Sequence, residues 1–136
     1  MSGYTLPRSE RLRSLSAIRR LFTEGRSGFV YPFRYMVLVE NVEQPADAEN
    51  SAENHDEKSV EVMFSVPKKF HKRANKRNLL KRRMREAYRL NKIMLYEKST
   101  GVNVDLALVY STKDILSYKT IEHAVRRILE QVCERL

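Results

Sequence analysis

Residues 75–95 contain no Gly or Pro and are rich in good helix formers. They lie between two apolar runs, VEVMFSV at 60–66 and VDLALVYS at 104–111. A helix set between two strands restricts the fold more than any other feature of the chain. Both runs are short and apolar, so they read as strands, the second apolar enough to be central in a sheet. Pro67 marks the end of the first. If the two strands are parallel neighbours, the helix is their crossover connection, right-handed by default.

The remaining elements fit around that unit. Residues 14–24 read as a short helix capped by Ser14 or Ser16. Leu15, Ile18, Leu21 and Phe22 share one of its faces, and Gly25 stands where a helix commonly stops. Residues 33–40 read as a strand, with Tyr35, Val37 and Val39 on one face and Met36 and Leu38 on the other. Together with 60–66 they predict a hairpin over 35–66 with a long loop. Residues 117–136 place Ile121, Val125, Ile128, Leu129, Val132 and Leu136 at helical spacing. The predicted class is α+β, in the order α-β-β-α-β-α, a two-layer sandwich of helices packed on a small sheet. At 136 residues and 42% hydrophobic composition, the chain suits one domain over 1–136.

Charge is the feature that bears most on function. The chain has 26 Lys and Arg against 17 Asp and Glu, a net +9. Residues 68–92 hold twelve basic residues and one acidic residue, whereas residues 36–67 hold one basic and eight acidic. So basic a domain implies a polyanionic partner, met at 68–92. The stretch NVEQPADAENSAENHDEKS at 41–59 has small residues, Pro45 and no aromatics. It predicts an acidic flexible loop that points away from a polyanion. No run of 18 apolar residues is present to span a membrane, and the first residues, MSGYTLPRSERLRS, lack the apolar stretch of a secretory signal. A single Cys excludes an intrachain disulfide and a Cys-based zinc site. A cytoplasmic address is expected.

At 100° per residue, Lys81, Arg85 and Lys92 fall on one line of the 75–95 helix, with Asn78, Arg82 and Arg89 on its shoulder. Leu79, Leu80, Ala87, Leu90 and Met94 lie opposite, while Lys76 and Arg83 interrupt the apolar side where their long stems can reach water. Lys81–Arg85 and Arg85–Arg89 are like-charged i,i+4 pairs, each costing about 0.2–0.5 kcal/mol. A solvated face normally mixes signs. A face that tolerates this repulsion suits phosphates, onto which Arg can fork with two donors.

The stretch FSVPKKFHKRANKRNLLKRRMREAY resembles the protein component of bacterial ribonuclease P. The resemblance rests on the ordered set Lys68, Lys69, Ala74, Arg77, Asn78, Lys81, Arg82, Arg85 and Tyr88. Leu79 stands where that family's Arg-Asn-Arg signature has its second Arg, with Arg83 a substitute nearby. RLRSLSAIRRLFTEG and VDLALVYSTKDILSYKTIEHAVRRIL are similar to the family's first and last segments, so the likeness covers about 8–134. Phe22 matches one family aromatic, and Ile18 replaces the other. The loop at 41–59 is longer than the family pattern.

The resemblance implies a fold with a left-handed βαβ crossover, against the default hand. It implies a protein cofactor to a catalytic RNA that holds the Mg²⁺ ions and removes the 5′ leader of precursor tRNA. Lys68, Lys69, Arg73, Arg77, Asn78, Lys81, Arg82, Arg85 and Arg89 would meet the RNA subunit. A cleft between the first helix and the sheet would hold the single-stranded leader. Stacking plus positive charge gives a sequence-tolerant grip there, for which Phe22, Phe33 and Tyr35, with Arg11, Arg13 and Arg19, are the candidates. The partners expected are ribonuclease P RNA and precursor tRNA, with no DNA and no membrane, and a protein monomeric apart from the RNA.

The side-chain inventory is compatible with a chain that performs no chemistry itself. His55, His71 and His123 stand in separate segments, and Asp105 and Asp114 are isolated, so no catalytic or metal-binding spacing is found. Cys133 reads as a small buried residue of the last helix. The main alternative is a general double-stranded RNA-binding or ribosomal protein, which would not need the Arg-Asn/Lys-Arg order. A DNA-reading helix lacks a preceding helix-turn-helix partner. A membrane-surface helix would want Trp or Phe on its apolar side.

Overall fold

A computed structural model describes residues 8–41, 60–99 and 101–136, so the acidic loop predicted at 41–59 lies, apart from Asn41, outside the described residues. A short 3₁₀ turn, Arg8–Glu10, leads to α1 (Leu15–Glu24), β1 (Arg26–Val30) and β2 (Phe33–Asn41). There follow β3 (Val60–Ser65), α2 (Ala74–Asn91), α3 (Ile93–Lys98), β4 (Val102–Tyr110) and α4 (Tyr118–Glu134). The α+β class is as expected, with one more strand and one more helix than the periodicity showed. The sequence of β1, RSGFV, has too few apolar residues to show a strand period, and the strand buries little. The 75–95 helix stops at Asn91, and the chain re-enters a helix at Ile93.

The sheet order is β1-β2-β4-β3. β2 pairs antiparallel with β1 and β4, and β3 pairs parallel with β4. The expected 35–66 hairpin is therefore not formed, because β4 lies between β2 and β3. The physical reason is burial. VNVDLALVY is the most apolar strand and takes a central place. β3 and β4 are parallel neighbours joined through α2 and α3, so the helix between the two runs is their crossover connection.

The two faces of the sheet differ. On one, Phe33, Tyr35 and Val37 of β2, Val60 and Val62 of β3, and Val104, Leu106, Leu108 and Tyr110 of β4 meet α2 and α4 in the main core. Phe33 and Tyr110 pack edge to face, with ring centroids 5.7 Å apart. On the other face only Leu12, Leu21 and Ala107 are fully buried, with Met36, Leu38, Met63 and Ile18 half-buried around them. α1 covers that face, capped by Ser14, whose hydroxyl accepts from the Ala17 N–H.

Candidate nucleic-acid interface

The N-terminal end of α2 is built by the turn before it. His71 is buried and its Nε2 donates to the Thr112 carbonyl at 2.8 Å, which ties the turn to the end of β4. Arg77 Nη1 donates to the carbonyls of His71 (3.1 Å) and Lys72 (2.8 Å). Arg77 therefore shapes the turn as well as adding charge. Lys68, Lys69, Lys72 and Arg73 are all exposed on that turn. α2 has no acidic residue in its first turn and no side-chain cap on Arg73, so its N-terminal N–H groups and dipole add to the positive field.

The buried stripe of α2 is Leu80, Met84, Ala87 and Tyr88. This stripe is rotated by roughly 70° from the one expected, at 100° per residue. Leu90 is exposed and Leu79 half-buried, while Met84 and Tyr88 go inward. The outward line is consequently Asn78, Arg82, Arg85 and Arg89, with Lys81 half-exposed at its border. Lys92 is a correction. Placed by periodicity on the cationic face, it is only 2% exposed, because the helix breaks there and its ammonium pairs with Glu10 at 2.7 Å. Arg83 is half-exposed, as its long stem allows, and donates to the Leu116 carbonyl at 2.5 Å, which joins α2 to the entry of α4.

A groove of about 670 Å³ crosses this surface, lined by Arg11, Leu79, Arg82, Arg83, Arg85, Glu86, Arg89 and Tyr118. Five guanidinium groups border it. Glu86 is the one carboxylate, and it holds Arg89 through bonds of 2.7 and 3.2 Å. Arg11 was expected beside Phe22 in the leader cleft. It lies here because residues 11–12 run along the edge of β3: Arg11 bridges to Val62, and the Leu12 N–H donates to the Val62 carbonyl at 2.8 Å. Extended backbone alternates its side chains, so with Leu12 in the core under α1, Arg11 turns to the α2 side.

The second basic and aromatic surface is the half-open sheet face. Phe33 and Tyr35 were expected to stack on a leader, and that expectation is corrected. They are 0% and 1% exposed, on the core face, and Tyr35 Oη donates to Gln131 at 2.6 Å. Neither ring has a surface left for a base. The residues between and opposite them point the other way. Phe29, Arg34, Val109 and Ser65 form one row across the strands, with Phe29 59% exposed and Arg34 exposed. Phe22, 44% exposed, and Arg19 look out from α1. Arg20, 200° around the helix from Phe22, pairs with Glu40 near the end of β2, so Phe22 lies on the flank of α1 away from that ion pair. Sequence reasoning missed Phe29 and Arg34. Arg34 between Phe33 and Tyr35 was the available signal, since an arginine is almost never fully buried and its neighbours in a strand face the other way.

The flank of α1 on the Arg20 side is acidic. Glu61 and Asp105 are register partners on this face, and Glu40 lies beyond them. Burial raises the carboxyl pKa of both Glu61 and Asp105, with their mutual repulsion adding to that of Glu61. Arg13 works against the shift in Glu61, and Arg20 against that in Asp105. The carboxylates make this flank of α1 electronegative, whereas the Phe22 side, with Arg19 and Arg34, is basic.

Among the described residues no group of three or more His, Cys, Asp or Glu could hold a metal ion, and no helix is long and apolar enough to cross a membrane. Cys133 is half-buried, with its thiol pKa raised by burial.

An open α+β sheet with a cationic helix on one side and an aromatic, basic surface on the other is the footprint expected of a nucleic-acid-binding protein. The family model described as Ribonuclease P matches residues 6–133. The ribonuclease P protein component of Porphyromonas gingivalis is 30% identical over 131 residues, covering 95% of this chain and 87% of that protein. The corresponding protein of Chlorobaculum tepidum is 40% identical over 93 residues, 66% of this chain and 53% of that one. Among solved structures, the RNase P protein of Staphylococcus aureus superposes with a TM-score of 0.64 at 17% identity, over 92% of this chain and 96% of that one. The protein from Thermotoga maritima gives 0.61 at 22% identity, over 90% and 96%. The chain belongs to the ribonuclease P protein component family.

Proposed function

We propose that this chain is the protein subunit of a cytoplasmic ribonuclease P that matures the 5′ end of tRNA. It binds the RNA subunit through the α2 face and the turn of Lys68, Lys69 and Arg73. It holds the precursor's single-stranded leader on the half-open sheet face, between Phe22 and Arg19 of α1 and Phe29 and Arg34 of the sheet. The RNA carries the Mg²⁺ ions and the phosphodiester hydrolysis, and the protein alone is inactive.

One observation carries the reading: the helix that closes the core on one side presents Asn78, Arg82, Arg85 and Arg89 as an outward line on the other. The groove over this line is bordered by five arginines and a single carboxylate. Such a surface repels itself and is relieved by a phosphate backbone.

The test is cleavage of precursor tRNA by a bacterial ribonuclease P RNA at low Mg²⁺, with and without the protein. Cleavage that depends on the protein is expected. Absence of stimulation with RNA binding intact would leave a general RNA-binding protein. Replacing Lys81, Arg82 and Arg85 together with Ala is expected to keep the fold. It should weaken RNA binding and lower its salt slope by roughly 0.7–0.9 per lost phosphate contact. An unchanged slope would remove α2 from the interface.

A further inference from the structure

The segment before α1 is fastened to the molecule by a buried polar latch. Glu10 Oε1 accepts from Lys92 Nζ at 2.7 Å and from Tyr96 Oη at 2.5 Å. Lys92 is buried, and its ammonium lies 5.3 Å from the Tyr96 ring centroid. Tyr88, also buried, packs edge to face on Phe64. The latch sits where α2 gives way to α3, so it joins the end of the cationic helix to the segment before α1, a strap of residues 8–14. One residue later Arg11 borders the arginine groove, and two residues later Leu12 enters the core under α1. A buried ion pair is costly to desolvate and is weak as a source of stability. Its geometric effect is specific: it fixes the strap's register between the two functional surfaces.

We propose that Arg11 is a phosphate contact of the RNA-subunit face, not of the leader cleft, and that Glu10 and Lys92 are the positioning residues that hold it there. The inference rests on the reading of α2 as the RNA-subunit face. Arg11 belongs to that face by geometry: it shares the groove with Arg82, Arg85 and Arg89, whereas Phe22 and Arg34 lie across the sheet from it. The strap thereby gives the RNA a binding edge drawn from two separate segments of the chain.

The experiment measures the affinity of a bacterial ribonuclease P RNA for the full chain, without precursor tRNA, across a salt series. Arg11→Ala is at an exposed position and is expected to keep the melting temperature. It should weaken binding about tenfold and lower the salt slope by about one contact's share. Arg11→Lys should restore the slope. The latch is tested with Glu10→Ala/Lys92→Met, which removes both charges together so that neither is left buried alone. It should weaken binding in the wild-type background and add little in the Arg11→Ala background. A full additional loss in that background would show that the latch does not act through Arg11. An Arg11→Ala defect seen only with leader-bearing precursor tRNA would return Arg11 to the leader cleft and overturn the proposal. Arg82→Ala/Arg85→Ala is the control. If it weakens binding and Arg11→Ala does not, this inference alone fails. If neither does, the assignment of α2 fails and this inference falls with it.

Discussion

The two faces of the sheet are built from the same strands and have opposite characters. On the α2/α4 face Phe33, Tyr35 and Val37 of β2 are buried, and Gly28 of β1 leaves room for the Tyr35 ring opposite it. A Cβ at Gly28 would come within 2.4–2.6 Å of that ring. On the α1 face the alternate residues are Arg34, Met36, Leu38 and Glu40, with α1 seated across the middle. One end of the strip is aromatic and cationic, the other carboxylate. A strand thus puts the core on one parity and the surface proposed for the leader on the other, and a shift of one residue exchanges the two.

The sharpest way to break this comparison is to truncate each parity in turn. Tyr35→Ala removes a fully buried ring and its bond to Gln131, and is expected to cost about 3–5 kcal/mol in urea unfolding. Gly28→Ala should destabilise in the same direction by forcing the Tyr35 ring to move. Neither should alter leader selectivity in the protein that remains folded. A Tyr35→Ala variant that keeps its stability but loses leader affinity would reverse the assignment of the two faces.

The opposite parity gives the next effect. Phe29→Ala and Phe22→Ala remove exposed rings and should change stability by no more than about 0.5 kcal/mol. Each should weaken precursor tRNA binding by about 1–3 kcal/mol if a base stacks on it, leaving mature tRNA unaffected. Equal losses with mature tRNA would place the rings outside a leader site.

This parity is also where sequence reading reached its limit. The strand at 33–40 was legible from its run of apolar and aromatic residues, which puts apolar side chains on both faces. Which side carried the core was not, because Tyr and Phe serve equally as core and as stacking platforms. The Lys68–Arg85 signature was legible as a linear pattern of charge. The rotation of α2 was not: Leu79 and Leu90 look as apolar as Met84 and Tyr88 until α4 and the strap are in place. Lys92 and Arg11 were misplaced for a related reason. Their environments are made by Glu10 and by the edge of β3, and neither contact is local in sequence.

The acidic flank sharpens the comparison from its weaker end. Burial raises the Asp105 and Glu61 carboxyl pKa values above those of the unfolded chain. Below the ordinary carboxylate value both states are protonated and no penalty exists. Between the ordinary and the raised values the native state keeps a proton that the unfolded chain has released, so stability falls as pH rises through that window. Above it the penalty is complete and constant. Asp105→Asn removes the charge while preserving the shape, and is expected to raise the melting temperature at neutral pH by a few degrees at most, flattening the slope just above the carboxylate range. Melting curves from pH 4 to 7 measure this, and an unchanged slope would show that Arg20 already compensates the charge. The same variant bears on binding. With the carboxylates as a barrier to phosphates, Asp105→Asn/Glu61→Gln should tighten single-stranded RNA binding slightly and make it fall somewhat more steeply with salt, because screening no longer relieves a repulsion. No change would confine the leader to the Phe29–Arg34 row by shape alone, with charge playing no part in keeping it there.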